Sequence, residues 1–134
     1  LVDGEIVIDM TSIKDLDVTS DSMRANLEKH IKSKDFFEVE TFTTSTFVIT
    51  EVASIEDESV MITGEMTIKG VTKQISFEAE VSETATSVSL MSSVFQINRA
   101  DFNVTFKSKT FFNNLKDKFI NDEFDLQVTI VANK

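Results

Sequence analysis

A strict alternation of apolar and polar residues is the feature that most constrains the fold of this chain. Residues 60–68, VMITGEMTI, and 71–81, VTKQISFEAEV, each place apolar side chains at every second position and polar ones between them. Lys69-Gly70 separates the two stretches, and a glycine suits a tight turn that needs a positive φ. The pattern therefore predicts a hairpin of two antiparallel strands, each with one buried face.

Similar alternations elsewhere predict further strands. They occur at 5–10, at 102–106 and along 124–132, which reads as one continuous strand. In 88–97 the apolar positions change face near Ser92-Ser93, which a β-bulge would explain, although a strand covered on both faces would read in the same way. About seven strands at regular spacing favour an all-β antiparallel barrel or sandwich.

One segment has helical periodicity instead. Met23, Leu27 and Ile31 recur at every fourth position, and Ser20 or Asp21 can cap the N-terminus. The narrow apolar stripe predicts one α-helix on the surface, inserted early in the β fold. FFNNLKDKF (111–119) is a second, short candidate helix.

Size and charge exclude several classes of protein. The 134 residues suffice for one domain, 1–134, with its own core, and the chain has no cysteine for disulfides or thiolate metal sites. The net charge of −10 has the wrong sign for gripping nucleic acid or an anionic bilayer. Residues 1–60 carry fourteen acidic against five basic side chains, which is typical of a solvated acidic face. No stretch is apolar enough to span a bilayer, and the chain begins at Leu1 without a visible signal peptide.

Residues with chemical potential are few, and none of them forms a recognised catalytic or metal-binding set. His30, the only histidine, falls on the polar side of the predicted helix, where a solvated position is expected. DLDVTSD (15–21) opens like a calcium loop but lacks the glycine and the bidentate glutamate that such a loop needs, so helix capping explains its acids better. Arg99 and Asp101 would share one face of a strand and pair there. The sequence thus predicts no catalytic residue, no metal and no cofactor.

The phenylalanines raise the question of what the interior holds. Four of the twelve lie in KSKDFFEVETFTTSTF (32–47), and the neighbours Phe36 and Phe37 would point to opposite faces of a strand. A closed barrel of about eight strands can fill its interior with side chains or leave room for a small ligand. Composition leaves both alternatives open.

Four ordered stretches resemble the signatures of the YceI-like family. They are IDMTSI (8–13), SKDFFEVETF with TTSTF (33–47), GEMTIKGVTKQISF (64–77) and INRADFN (97–103), and together they span nearly the whole chain. Thr43 stands where the family has proline, and Asn103 where it has glycine. Asparagine tolerates the left-handed conformation that glycine adopts.

This resemblance implies a lipocalin-like antiparallel barrel with a helix near one end, and a cavity that holds a long polyisoprenoid tail. It also implies a non-catalytic protein, periplasmic or secreted, that forms homodimers and touches a membrane transiently. Family members have a leader and further barrel strands ahead of GEIVIDM. The resemblance therefore predicts that a longer natural chain, or a partner chain, supplies the first strands.

The same resemblance implies where the lipid lies. The interior wall is predicted from the inward positions of the strands, and the phenylalanines of 36–47 are predicted to form a mouth under the helix, with one of Phe36 and Phe37 under the helix and the other towards the lumen. The predicted ligand-binding residues are Ile8, Phe36, Phe37, Phe42, Phe47, Ile62, Met66, Ile68, Phe77, Phe95, Phe102 and Phe106. Two rival functions are an interaction module with a packed core and an acidic binding face, and a lipid-modifying enzyme that uses Arg99, Asp101 or His30.

Overall fold

The predicted hairpin is the centre of the fold. A computed structural model of the chain describes residues 4–16, 18–108 and 122–133. In it, β3 (Ser59–Ile68) and β4 (Val71–Glu83) pair antiparallel through ten residue pairs, with Ile62 opposite Phe77. Lys69 and Gly70 form the turn with φ values of 51° and 78°, as the glycine predicted.

The remaining strands extend this hairpin into a curled half-barrel. The six-stranded sheet has the order β1-β2-β3-β4-β5-β8, and β6 and β7 form a separate antiparallel pair. Every pairing between described strands is antiparallel. The additional strands are β1 (Gly4–Asp9), β2 (Thr44–Glu56), β5 (Ser87–Ser92), β6 (Phe95–Asn98), β7 (Glu123–Leu126) and β8 (Thr129–Asn133). The all-β class is confirmed, and the described residues form eight strands where about seven were predicted.

The chain passes from one sheet to the other at two places that lie side by side. The apolar positions do change face at Ser92-Ser93, but through a break and not a bulge: β5 ends at Ser92, and β6, which belongs to the other sheet, begins at Phe95. The prediction of one continuous strand over 124–132 is wrong, since β7 and β8 belong to different sheets. Ser92 holds this corner: its Oγ accepts from Val128 N at 2.8 Å, and its own N–H donates to the Val128 carbonyl at 2.8 Å.

The strand predicted over 102–106 is also wrong. Residues Arg99–Phe102 form a 3-10 helix, capped where the Asn98 side chain accepts from Ala100 N at 2.9 Å. Asn103 ends it in the left-handed conformation with φ of 61°, as expected for asparagine at the family's glycine position. Arg99 and Asp101 therefore do not share a strand face: Arg99 is buried and Asp101 is exposed.

The predicted helix is α1 (Asp21–Ile31), and Ser20 is its N-cap. All its side chains are described, and each is at least partly exposed, with Met23 at 64% and Leu27 at 37%. Among the residues that the structure describes, no helix has the length and apolar character needed to cross a membrane. The candidate helix 111–119 lies outside the described residues.

The core lies on the concave side of the sheet, where the alternation predicted it. On β3 the inward positions Ile62, Gly64, Met66 and Ile68 are buried, and on β4 Phe77 and Ala79 are buried. The outward positions between them are exposed or half-buried. Most of the buried apolar side chains that the structure describes therefore lie on one curved sheet face.

Candidate functional site

The apolar wall of the half-barrel contains half of the predicted site residues. Cross-strand pairs bring them together, since Phe47 is opposite Met66 and Ile62 is opposite Phe77. Six of the predicted residues belong to one buried cluster, each at most 7% exposed: Phe47, Ile62, Met66, Ile68, Phe77 and Phe102. Phe37 and Phe95 are partly buried and pack against the same cluster.

A row of three phenylalanine rings crosses the interior. Phe47 and Phe77 lie with ring centroids 5.4 Å apart at an interplanar angle of 41°. Phe77 and Phe95 are stacked at 4.6 Å with only 6° between their planes. Because Phe95 is on β6, the row links the large sheet to the two-stranded one. Such ring pairs contribute about 0.5–1.5 kcal/mol beyond the area that they bury.

Gly64 makes room for the first ring of this row. A Cβ at Gly64 would lie 2.6 Å from Cζ of Phe47 and 2.8 Å from its Cε1, and it would also meet the carbonyl oxygen of Val48. Any side chain at this position would displace the Phe47 ring from the wall. The glycine in GEMTI is therefore a packing requirement of the interior.

The neighbours Phe36 and Phe37 lie in a turn and not on a strand, which answers the question that their adjacency raised. The backbone N–H of Phe37 donates to the Ile31 carbonyl, at 3.1 Å, at the end of α1. Phe37 packs against the core cluster, whereas Phe36 contacts the rings of His30 at 5.1 Å and Phe106 at 5.5 Å. One ring thus faces the interior and the other lies beside the helix, as predicted.

His30 is partly exposed, as expected on the polar side of α1, but it also makes contacts that the sequence did not predict. Its Nε2 lies 2.8 Å from Oδ2 of Asp35, and its ring makes T-shaped contacts with Phe36 at 5.1 Å and with Phe106 at 4.9 Å. Its side chain is 42% exposed. We call His30, Asp35, Phe36 and Phe106 the histidine cluster. The helical periodicity of α1 could not have revealed this cluster, because its members come from three separate segments.

The structure does not gather the four phenylalanines of 36–47 into a single mouth. Phe47 lies in the buried wall, and Phe42 lies over the Lys69–Gly70 turn, where its Cε1 is 3.1 Å from the position of a Cβ at Gly70. Ile8 is on the inward face of β1, opposite Ser45, but β1 is an outer strand of the described sheet and Ile8 is 39% exposed. Inward side chains are therefore buried on the central strands, whereas Ile8 on β1 is partly exposed.

Arg99 has a structural environment. Its Nη1 donates to the Val104 carbonyl at 2.8 Å, and its Nη2 lies 4.0 Å from Oδ1 of Asp122, which also accepts from the hydroxyl of Ser108. Burial lowers the pKa of Arg99, and the nearby Asp122 carboxylate opposes that shift. The guanidinium also lies 5.7 Å from the Phe36 ring centroid, next to the histidine cluster. The predicted pairing of Arg99 with Asp101 is replaced by this network.

Several wall residues were missed by the sequence-based selection. They are Ile49, Ala79, Leu90 and Ile97, all of which belong to the buried cluster. Ile49 and Ala79 could have been found, because each is two positions from a selected residue on the same strand, Phe47 and Phe77. Leu90 and Ile97 lie on either side of the bend at Ser93, so the change of face concealed them.

A groove of about 670 Å³ lies outside the wall, between α1 and residues 38–41. Ala25 and Val39 line it together with charged side chains of both signs, including Lys29, Lys32 and Glu38. This groove is therefore separate from the apolar wall on the inward face of the sheet. Within the described ranges, no three histidine, cysteine, aspartate or glutamate side chains are placed to hold a metal ion.

Solved structures share this architecture. BcnA of Burkholderia cenocepacia superposes with a TM-score of 0.77 at 25% identity, over 97% of this chain and 74% of that one. A Campylobacter jejuni YceI protein gives a TM-score of 0.75 at 22% identity, over 98% and 72%. A polyisoprenoid binding domain from Saccharophagus degradans, described as implicated in plant cell wall breakdown, gives 0.71 at 17%, over 96% and 75%.

The chain is also similar in sequence to UPF0312 proteins. A UPF0312 protein of Vibrio parahaemolyticus is 37% identical over 75 residues, which are 56% of this chain and 36% of that protein. A UPF0312 protein of Pseudomonas fluorescens is 43% identical over 58 residues, or 43% and 30%. The matches thus span about a third of the length of these curated relatives. The family model for the YceI-like domain matches residues 2–132, and the chain therefore belongs to the YceI-like family.

Proposed function

We propose that the protein binds a long-chain polyisoprenoid lipid, of the quinone or isoprenoid alcohol type, against the concave apolar face of its half-barrel. The observation that carries this proposal is the continuous wall from Phe47 through Phe77 to Phe95, built from inward positions of both sheets. Support also comes from the fold shared with the polyisoprenoid binding domain of Saccharophagus degradans. The twelve residues predicted from the sequence remain the proposed ligand-binding set, with Ile8 as the exposed contact and the buried members as the packed wall beside it.

The chemistry of the wall suits a branched hydrocarbon. Burying one methylene contributes about 0.8 kcal/mol, so a chain of several isoprene units can bind tightly without a charged anchor. The central wall residues are already packed against one another, while Ile8 on β1 leaves inward apolar surface exposed. The lipid therefore gains most by lying along the β1 side of the wall, next to Phe47 at the start of the aromatic row.

Two neighbouring residues of β1 provide a matched test. Ile8 and Val7 point to opposite faces of the strand and are 39% and 59% exposed, so aspartate at either position is expected to leave the protein folded. Ile8→Asp should weaken binding of geranylgeraniol by at least about tenfold, because a carboxylate then faces the hydrocarbon. Val7→Asp should bind like the original protein.

Native mass spectrometry after incubation with geranylgeraniol, alongside thermal unfolding, measures both quantities. A folded Ile8→Asp protein that binds as well as Val7→Asp would refute binding along β1. Extraction of lipid from the protein as expressed adds an independent result. Masses that differ by whole isoprene units would identify the natural ligand class.

A second function is favoured by the convex face. Outward positions of β2, β3 and β4 carry exposed acidic side chains at Glu51, Glu65, Glu78 and Glu80. Together with the packed wall, they suit an interaction module that binds a basic protein. Capture of such a partner that is lost at high salt, from protein that yields no extractable lipid, would favour this second function.

The proposal is one of binding and carriage, not catalysis. Arg99 is directed to Val104 and Asp122, Asp101 is exposed, and His30 is paired with Asp35, so the three residues considered for chemistry do not converge on the wall. The family resemblance supports further parts of the proposal: a periplasmic or secreted location, transient contact with a membrane during lipid transfer, and a homodimer. Cell fractionation and sedimentation analysis test the location and the dimer.

A further inference from the structure

The groove beside α1 has walls of opposite charge. Lys29 lies in the last turn of α1, Lys32 is its C-cap, and Lys34 follows two residues later. On the other side, Glu38 and Glu40 come from the segment after the helix. All five residues line one volume of about 670 Å³, and small-molecule sites typically measure about 300–1,000 Å³. The groove therefore has the size of a ligand site, with three cations and two carboxylates in its lining.

These opposite charges do not neutralise one another across the groove. Among the residues that the structure describes, no lysine of the lining approaches a glutamate of the lining within 4.0 Å. Glu28, which also lines the groove, accepts instead from the backbone N–H of Asp15 at 2.8 Å. Lys32 and Glu38 are nevertheless half-buried, and a charge that loses water gains when a partner is supplied. A ligand with a charge of each sign can be that partner for both walls.

Local interactions account for only part of this arrangement. The negative end of the α1 dipole favours Lys29 and Lys32 at the end of the helix, but it does not account for the carboxylates opposite them. Asp9 is a further carboxylate near Lys32: hydrogen bonds from Thr11 chiefly lower its pKa, and the charge of Lys32 adds to the shift. Asp9 accepts from both the N–H and the hydroxyl of Thr11, at 2.9 and 2.6 Å, so its side chain is already engaged. The lysines of the groove therefore remain available to an anionic ligand.

We propose that this groove binds a compound with a phosphate and a primary ammonium a few bonds apart, as in phosphoethanolamine and the head group of phosphatidylethanolamine. Three lysine ammonium groups suit a phosphate, whose oxygens each accept charge-assisted hydrogen bonds. Glu38 and Glu40 suit a primary ammonium, which has three N–H donors. This inference goes beyond the proposed polyisoprenoid binding and does not depend on it, because the groove is separate from the apolar wall.

The chemistry of the two walls predicts an order of affinity. Inorganic phosphate and ethanolamine each provide a partner for one wall only. Phosphocholine carries the phosphate, but its quaternary ammonium has no N–H to donate to Glu38 or Glu40. Phosphoethanolamine should therefore bind at least about tenfold more tightly than any of the three, since each of them lacks hydrogen bonds to charged groups.

Isothermal titration calorimetry at low salt, where charge pairs are least screened, measures these affinities. Lys32→Met and Glu38→Gln each remove one charge from the lining, and each should weaken binding of phosphoethanolamine by at least about fivefold. Lys73→Met and Glu80→Gln are the matched controls, because both residues are exposed on β4 and neither lines the groove. Both controls should bind phosphoethanolamine like the original protein, and circular dichroism should show all four variants folded.

The separate halves of the ligand distinguish a direct contact from a general change in the groove. Lys32→Met should weaken binding of phosphate and leave that of ethanolamine unchanged, and Glu38→Gln should do the opposite. Equal weakening of both halves by either variant would overturn the assignment of the walls. No binding of phosphoethanolamine by the original protein up to about 10 mM would overturn the proposal itself.

Vesicle flotation identifies the source of the head group. Vesicles of phosphatidylcholine with phosphatidylethanolamine are compared with vesicles of phosphatidylcholine alone. Binding to the mixed vesicles only, lost in Lys32→Met, would support the groove as a site for a membrane lipid. Binding of soluble phosphoethanolamine without either vesicle would support a site for a soluble compound. Geranylgeraniol is absent from all these measurements, so failure of the polyisoprenoid proposal would leave their outcome unchanged.

Discussion

Replacing Gly64 by alanine is expected to destabilise the protein, because the space that a Cβ needs is occupied by the Phe47 ring. The Cβ would lie 2.6 Å from Cζ of that ring, which is itself 2% exposed and packed on Phe77. The Cβ would also meet the Val48 carbonyl oxygen, beside the register shift that follows the Gly64–Ile49 pair, so the β2 backbone must move as well. The ring must therefore turn out of its place in the wall.

The magnitude follows from two opposing effects. Overpacking of a core costs about 1–3 kcal/mol, while alanine restricts the unfolded chain relative to glycine and returns about 0.4–1 kcal/mol. A net loss of about 1–2 kcal/mol remains. The entropy of unfolding is about 2.1 cal/mol/K per residue, so for this chain the loss corresponds to a fall in Tm of about 4–7 °C. Thermal and urea unfolding followed by circular dichroism measure both quantities.

Gly4→Ala is the control on the same face of the sheet. The nearest atom to a Cβ at Gly4 is Cδ1 of Ile49 at 3.7 Å, an ordinary contact, so its stability should change by less than about 0.5 kcal/mol. In the double variant Gly64→Ala/Phe47→Leu, the smaller side chain relieves the contact with the ring but not the one with the Val48 carbonyl oxygen, and the coupling energy should be at least about 1 kcal/mol. A Gly64→Ala protein as stable as Gly4→Ala, with no coupling to Phe47, would refute the packing of this ring over the glycine.

Substitutions at three further positions test local features. Gly70→Ala should destabilise the β3–β4 turn by about 1 kcal/mol, measured by urea unfolding, because φ there is 78° and alanine avoids that region, whereas Gly70→Asn should cost less. Asp122→Asn should cost about 2–4 kcal/mol in the same assay, since it removes a carboxylate next to the buried Arg99 guanidinium. Hydrogen bonds from Thr11 hold the pKa of Asp9 below its ordinary value. The ionised side chain therefore stabilises the fold at a pH above that ordinary value, and this stabilisation is lost as the pH falls through the lowered pKa. Stability of Asp9→Asn should therefore fall less steeply between about pH 4 and pH 2 than that of the original protein, and an equal slope would contradict the assignment.

The hairpin could be predicted from sequence because the pattern of its strands and the residues of its turn indicate the same structure. Alternation defined the inward faces of β3 and β4, and Gly70 defined the turn that sets their register. The 3-10 helix at Arg99–Phe102 could not be predicted in this way. Phe102 and Val104 are both buried, so their spacing imitates a strand, while the capping by Asn98 and the left-handed Asn103 decide the local backbone.

The residues of the candidate site also differ in whether a local sequence pattern could predict them. Wall residues such as Ile62 and Phe77 could be predicted from the alternation of apolar and polar residues, because a strand with one buried face has an apolar residue at every second position. The histidine cluster depends on contacts between segments far apart in the chain, and no local pattern marks His30 as the partner of Phe106. The alternation of apolar and polar residues identifies which side chains face inward, but tertiary packing decides which of them remain accessible to a ligand.

Accessibility also bears on whether the interior is a packed core or a lipid site. Ile62 and Phe47 are at most 2% exposed, so a lipid at the centre of the wall would have to displace side chains that already pack well, with a loss of their contacts. Ile8 faces the same side and is 39% exposed, so a lipid there adds apolar contact without displacing any side chain from the buried cluster. The two alternatives therefore apply to different parts of one face. The central strands provide a core that stabilises the fold, and the β1 side provides the apolar surface on which the proposed polyisoprenoid chain is expected to bind.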